Sequence, residues 1–228
     1  MTLASRIISP LIKGIFRIIC KVDSGEICKV PMKGPLIVVL NHINFVEVPL
    51  LYTHLFPRNM ASIVKKETWK NPLLAYLGTI WEAIPLDRNS TDLGAMRKSL
   101  EALKSGRILL IAPEGTRSRT GQLQKGHAGV VQIALHSGAP IITLGHYGGE
   151  KIWKNLRSFH RTQFTIKVGK PFFLQTTKRG SLRTERILMT DEIMNQLSFL
   201  LPPFYRGLYP DPEKASSGHL DFSVRESV

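Results

Sequence analysis

The chain has 228 residues, room for one domain of about 200 residues with short ends rather than two, and enough to bury roughly 70% of its unfolded surface without disulfide or metal staples. Thirty-one Lys and Arg against 17 Asp and Glu leave a formal charge of +14, which directs the surface toward nucleic acid, anionic headgroups or phosphorylated small substrates. Cys20 and Cys28 have no His or further Cys at metal spacing, which argues against zinc, and so few cysteines suit a reducing compartment.

The first element is unusual. In LASRIISPLIKGIFRIIC, Leu3 to Cys20, Ser5, Ser9, Lys13 and Arg17 recur four apart as one polar stripe of a helix. Leu3, Ile7, Ile8, Leu11, Ile15, Ile18 and Ile19 fall mostly on the other side. Lys13 and Arg17 interrupt the apolar centre that a signal peptide needs, and no run of about 18 apolar residues could span a bilayer. Two readings stand: a helix packed on the core, or an interfacial helix lying among headgroups. Pro10 and Gly14 weaken its middle under either.

A turn-rich connector, Pro31 to Pro35, leads into PLIVVLN (Pro35 to Asn41), an apolar run expected as a strand buried on both faces. VPLLYTHLF reads as a helix with Pro49 in its first turn. ASIVKK is a second strand, NPLLAYLG a helix, and EAIPLDR a strand whose end delivers Asp87 and Arg88. Thr91 to Lys104 reads as a helix ending near Ser105-Gly106. GRILLIAPEG is a buried strand running into a Pro/Gly turn, and Gly126 to His136 a helix closed by Ser137-Gly138. APIITLGHYGG and TQFTIKVGKPF follow as strands, then a closing helix from Leu182 to Leu201. From Pro210 the composition predicts disorder. Short apolar strands alternating with helices predict an α/β fold with a largely parallel central sheet flanked by helices, preceded by an N-terminal amphipathic membrane-associating helix. In such sheets functional groups gather past the carboxyl ends of strands, where Asn41-His42, Asp87-Arg88 and Pro113-Glu114 all fall.

NHINFVEVP, Asn41 to Pro49, places a histidine in a loop with a carboxylate five residues on. On one continuous helix such residues point about 140° apart. His42 and Glu47 can therefore pair only if the chain folds back between them, which a loop before a Pro-started helix permits. A carboxylate accepting the Nδ1 hydrogen would fix the tautomer, leave Nε2 free and raise its basicity, so that the ring could take a proton from an attacking hydroxyl. A structural histidine satisfied by backbone is the competing reading. In APEGTRSRTG, Ala112 to Gly121, small residues after a strand can present N–H groups, and Arg117 and Arg119 add positive charge suited to a phosphate. Arg88 is a third anion-directed group unless Asp87 or Asp92 pairs with it.

NHINFVE, LDR, APEGTRS and APIITLG, in this order and spacing, resemble the four blocks of the glycerophosphate and lysophospholipid acyltransferase family. The match covers about Pro35 to Gly149, and PEGTRS is its most specific piece. The resemblance implies that His42 is a general base and that Glu47 stands where the family carries aspartate. Glutamate is longer by about one C–C bond, near 1.5 Å, and Asn44 stands where the family often has Ser. It further implies that Arg88 and Arg117 contact substrate phosphate within a substrate-binding set of Arg88, Glu114, Gly115, Thr116 and Arg117, with Glu114 toward the glycerol hydroxyls. Pro140 and Ile141 would belong to the acyl-donor wall.

The activity implied is transfer of a fatty acyl group from a thioester to the hydroxyl of a lysophospholipid or glycerophosphate, such as 1-acylglycerol-3-phosphate, giving phosphatidic acid. Acyl-CoA or acyl-carrier protein would be the co-substrate; neither a cofactor nor a metal is expected. The expected organisation is an amphipathic segment over 1–30, one acyltransferase-like α/β domain over 31–209 and a disordered tail over 210–228, peripheral on the cytoplasmic face of a membrane. Lys151, Lys154, Arg157 and Arg161, interleaved with Ile152, Trp153, Leu156 and Phe159, suit headgroups or simply a cationic loop over core anchors. The alternative function is a non-catalytic phospholipid-binding protein on the same scaffold. A nucleic-acid binder has charge alone in its favour, with no recognisable motif, and an ester hydrolase lacks a G-x-S-x-G elbow.

Overall fold

Each apolar run bounded by turn residues becomes one strand, because a run of this length hides its side chains on both faces only inside a covered sheet. The computed structural model describes residues 3–87, 92–176 and 181–223. Its first half comprises α1 (Leu3–Ile19), β1 (Cys20–Asp23), β2 (Leu36–Leu40), α2 (Glu47–Leu55), β3 (Met60–Lys65), α3 (Pro72–Ile80), β4 (Ile84–Leu86) and α4 (Leu93–Lys104). Its second half comprises β5 (Ile108–Ile111), α5 (Gly129–Ser137), β6 (Ile141–Tyr147), α6 (Ile152–Arg157), β7 (Thr162–Val168), β8 (Phe173–Leu174), α7 (Leu182–Ser198) and β9 (Leu220–Asp221). A central sheet runs β1-β7-β6-β2-β5-β3-β4. The five strands from β6 to β4 are mutually parallel, and β7 runs antiparallel to β6.

Alternate residues of β2 serve the two layers. Ile37 and Val39 pack with Leu109, Ile111 and the apolar sides of α4, α5 and α7. Leu36, Val38 and Leu40 pack with Leu110, Ile142, Leu144 and α2, and with Phe16 of α1. Local chemistry sets the helix ends. Asn71 accepts the Leu74 N–H ahead of Pro72, and Asp92 accepts the Ala95 N–H. Gly138 closes α5 at φ +63°. The helix expected from Gly126 starts only at Gly129, because the Gly126 N–H donates to the Tyr209 hydroxyl and the His127 N–H to the Pro113 carbonyl.

Three expectations change. A domain boundary at residue 31 is not seen, since β1 pairs in parallel with β7 and belongs to the sheet; four residues of mixed polarity gave no strand signal. The tail read as disordered carries structure through residue 223: β9 pairs with β8, and the buried Glu192 accepts from the His219 N–H and the Ser216 hydroxyl, both at 3.0 Å. Helix α1 is amphipathic as expected, but it packs on its serines. Ser5 and Ser9 are buried, and Ser9 accepts the Trp81 indole N–H at 3.2 Å. Leu3, Ile7, Leu11, Ile15 and Ile18 face outward, Leu11 at 65% exposure. No described helix is long and apolar enough to cross a membrane.

Candidate active site

Parallel strands deliver their following loops to one edge of the sheet, and three of these loops build the site. β2 ends at Asn41-His42, β5 runs into Pro113-Glu114, and β6 ends in His146 and Tyr147. The chain folds back after His42, the condition for it to pair with Glu47. Asn44 accepts the Val46 N–H on its side-chain oxygen at 2.9 Å, an Asx turn that makes Glu47 the first residue of α2.

Glu47 has no exposed surface. Its Oε1 meets His42 Nδ1, and its Oε2 accepts the Asn44 N–H at 2.8 Å. The extra methylene of glutamate is thus accommodated within the turn. The His42 side chain is 22% exposed, and Nε2 has no hydrogen-bond partner among the described residues. A carboxylate on Nδ1 puts that hydrogen on the protected side and leaves an open lone pair on Nε2, the arrangement of an imidazole able to take a proton.

The second loop grips the backbone of the same histidine. The His42 N–H donates to Glu114 Oε1 at 2.7 Å, and the Ser118 N–H donates to the His42 carbonyl at 2.7 Å. Glu114 Oε2 accepts the Gln124 N–H at 2.9 Å. Glu114 is 2% exposed and both oxygens hold protein donors. This corrects the expectation that it faces glycerol hydroxyls: it braces the loop instead. Burial pushes its pKa up to about 7, although the N–H donors of Gln124 and His42 pull the other way. Gly115 sits at φ +65°, in the left-handed region that favours glycine, and a Cβ there would come 3.3 Å from the His127 ring. Thr116 and Arg117 are exposed just before Ser118. Arg117 makes no hydrogen bond or ion pair among the described residues, so its guanidinium stands available beside the His42 loop. Arg88 lies outside the described residues.

Sequence reasoning missed two participants, His146 and Gln124, and placed Asn41 at its strand end without a partner. Asn41 and His146 are mutually bonded across the strands: the Asn41 amide donates to the His146 carbonyl, and the His146 N–H donates to the Asn41 side-chain oxygen, each at 2.9 Å. Gln124 closes the loop onto Glu114 and also donates to the Thr116 carbonyl at 3.2 Å. The usable signal was a histidine in an otherwise apolar strand; Gln124 gave none. Beyond the loops, the Asn44 amide donates to the Gly149 carbonyl at 2.8 Å, and Phe45 stacks on Trp153 with centroids 5.5 Å apart. Among the described residues no group of three or more His, Cys, Asp or Glu is arranged to hold a metal ion.

A family model described as Acyltransferase matches residues 21–147. The 1-acyl-sn-glycerol-3-phosphate acyltransferase of Cocos nucifera is 31% identical over 59% of this chain and 45% of its own length. That of Limnanthes douglasii is 30% identical over 67% and 53%, and that of Bacillus subtilis (strain 168) 26% identical over 73% and 80%. The chain spans about half the length of the two plant relatives. In fold it is similar to the crystal structure of the 1-acyl-sn-glycerophosphate (LPA) acyltransferase PlsC from Thermotoga maritima. That likeness has a TM-score of 0.61 at 22% identity and covers 83% of this chain and 78% of that one.

Proposed function

Since this chain belongs to the acyltransferase family, we propose that it transfers a fatty acyl group from an acyl thioester to the free hydroxyl of a lysophospholipid or glycerophosphate, with 1-acylglycerol-3-phosphate as acceptor and phosphatidic acid as product. The observation that carries the reading is the His42 ring, tied by Nδ1 to a fully buried Glu47 and open at Nε2. A glycerol hydroxyl is a poor nucleophile until a base takes its proton. His42 Nε2 removes that proton as the oxygen attacks the thioester carbonyl. Collapse of the tetrahedral species breaks the C–S bond, and the leaving sulfur takes the proton from the imidazolium that Glu47 stabilises. No acyl-enzyme forms. Arg117, with Arg88, binds the acceptor phosphate and turns a bimolecular encounter into a positioned attack.

The donor is acyl-CoA or acyl-carrier protein, and the acceptor is drawn from a bilayer on which the protein lies. The outward row Leu3, Ile7, Leu11, Ile15 and Ile18 supports that reading, since burying a Leu or Ile side chain is worth roughly 1.5–3 kcal/mol. A second apolar group is exposed nearby: Phe45 of the His42 loop stacks on Trp153, and Leu156 and Phe159 follow in the same segment, among Lys151, Lys154 and Arg157. Arg161 donates to the Arg17 and Cys20 carbonyls at 2.7 Å, which joins this region to the end of α1. The anionic lipid of a cytoplasmic leaflet suits the +14 charge. Incubating the purified chain with vesicles, labelled acyl thioester and 1-acylglycerol-3-phosphate tests the proposal. Labelled phosphatidic acid is expected; vesicle binding without product would identify a lipid-binding protein instead.

A further inference from the structure

His146 has no part in the chemistry just described, yet its ring lies against the catalytic carboxylate. It is fully buried near the end of β6. Nε2 is 2.7 Å from the Asn41 carbonyl and 3.7 Å from Glu47 Oε2. Both neighbours only accept, so Nε2 carries the hydrogen. Nδ1 is buried without a hydrogen-bond partner among the described residues. The ring stacks on Phe164, centroids 5.3 Å apart at 13°, while Asn41 clamps the backbone from both sides. Turning the ring would strand the Asn41 carbonyl without a donor.

We propose that His146 is a positioning residue for acyl transfer: its neutral Nε2–H steadies the outer oxygen of Glu47 so that the inner oxygen meets His42. The proposal rests on the reading of His42 as base. At 3.7 Å the contact with Oε2 is too long for a hydrogen bond, but an N–H dipole beside a fully buried carboxylate stabilises its charge. Neutrality matters, because a cation at 146 would share the Glu47 charge that His42 needs when it becomes imidazolium. Burial, acting against the Glu47 charge, holds the His146 pKa below its ordinary value, so the ring stays uncharged. The arrangement also explains how a glutamate serves at position 47. The longer side chain brings its outer oxygen within reach of both the Asn44 N–H and the His146 ring; an aspartate carboxylate would withdraw by about 1.5 Å. Positions 47 and 146 therefore act as a unit.

His146→Phe keeps a ring against Phe164 without the N–H, and His146→Gln keeps an amide N–H that does not titrate. NMR of the His42 Nδ1 proton in the intact protein reports its contact with Glu47 and needs no turnover. If the His146 N–H steadies the Glu47 carboxylate, its loss in His146→Phe should loosen that contact and move the Nδ1 proton resonance upfield, while His146→Gln should leave it near the parental position. The phenylalanine variant should also lose about tenfold in kcat with the acceptor KM within about twofold, and the glutamine variant should recover most of that loss. Placed in a Glu47→Asp background, His146→Phe should cost less than about twofold. An unmoved His42 Nδ1 proton resonance in a folded His146→Phe protein, or an undiminished loss in the Glu47→Asp background, overturns the proposal. Should the phenylalanine protein fail to fold, His146→Met serves as the non-donor under the same criteria. A parent protein that transfers no acyl group overturns the base reading alone, leaving the Nδ1 proton resonance to decide His146.

Discussion

One carboxylate oxygen of Glu47 meets Nδ1 of His42 while the other accepts the Asn44 N–H at 2.8 Å. A single buried side chain at the start of a helix thereby holds both the ring and the loop that carries it. Orientation of the imidazole and formation of the turn depend on the same charge.

His42→Ala should fold normally, because only the side chain is lost and both backbone bonds to the neighbouring loop remain. Acyl transfer should fall by at least about 100-fold, the low end of what a positioned base contributes. Glu47→Gln preserves shape without charge and should lose a similar factor in kcat. Steady-state kinetics beside a thermal melt check both; near-parental turnover in either variant removes that residue from the mechanism.

Arg117 is exposed and makes no polar contact among the described residues, so Arg117→Ala should leave the melting temperature within about 1 °C. Loss of one charge-assisted contact to phosphate, worth about 1.5–3 kcal/mol, should raise the acceptor KM roughly tenfold or more. A monoacylglycerol acceptor, which has no phosphate, should be used equally well by both proteins. Equal discrimination against both acceptors would place Arg117 away from the phosphate.

Glu114 offers a test in pH. Its folded pKa is pushed up to about 7 from an ordinary 4.5, chiefly by burial. The folded state then holds more protons than the unfolded state between these values, so this group's contribution to stability falls as pH rises through that window. Glu114→Gln does not titrate. The stability advantage of the parent over this variant should therefore shrink between pH 5 and pH 8, by on the order of 2 kcal/mol. Denaturant unfolding at the two pH values measures it, and a gap that stays constant or widens refutes the burial argument.

The outward face of α1 predicts a separation of stability from membrane binding. Leu11→Asp places a charge on a side chain that is 65% exposed, so the melt should be unchanged within about 1 °C. Sedimentation with anionic vesicles should drop several-fold, and activity on vesicle-borne acceptor with it. The basic residues make the parent's binding weaken with salt. Unaltered sedimentation of Leu11→Asp would move the docking face elsewhere.

Apolar runs bounded by turn residues were sufficient to find β2, β5 and β6, since a strand covered on both faces is mostly apolar, and β3 and β7 were found from shorter apolar stretches mixed with polar residues. The fold-back between His42 and Glu47 was permitted by the sequence but not decided by it, since a structural histidine satisfied by backbone fitted equally; the Asx turn at Asn44 decides it. Strand β1 was not legible, as an edge strand of four residues need not be apolar on both faces. Other relationships depended on contacts that no local pattern encodes. Glu114 bonds a backbone 72 residues away and Asn41 bonds His146 across 105, so their roles follow from β2 lying between β5 and β6. A sequence shows that a buried carboxylate is available but not which donors will surround it. Helix α1 makes the same point. Its two faces were evident from spacing, but which face meets the protein depends on whether the surface beneath offers an apolar groove or a hydrogen-bonding Trp81. Periodicity decides what a segment becomes, because it acts within one or two turns of chain; the partner of each polar group is decided by the order of strands, which brings distant segments to the same edge.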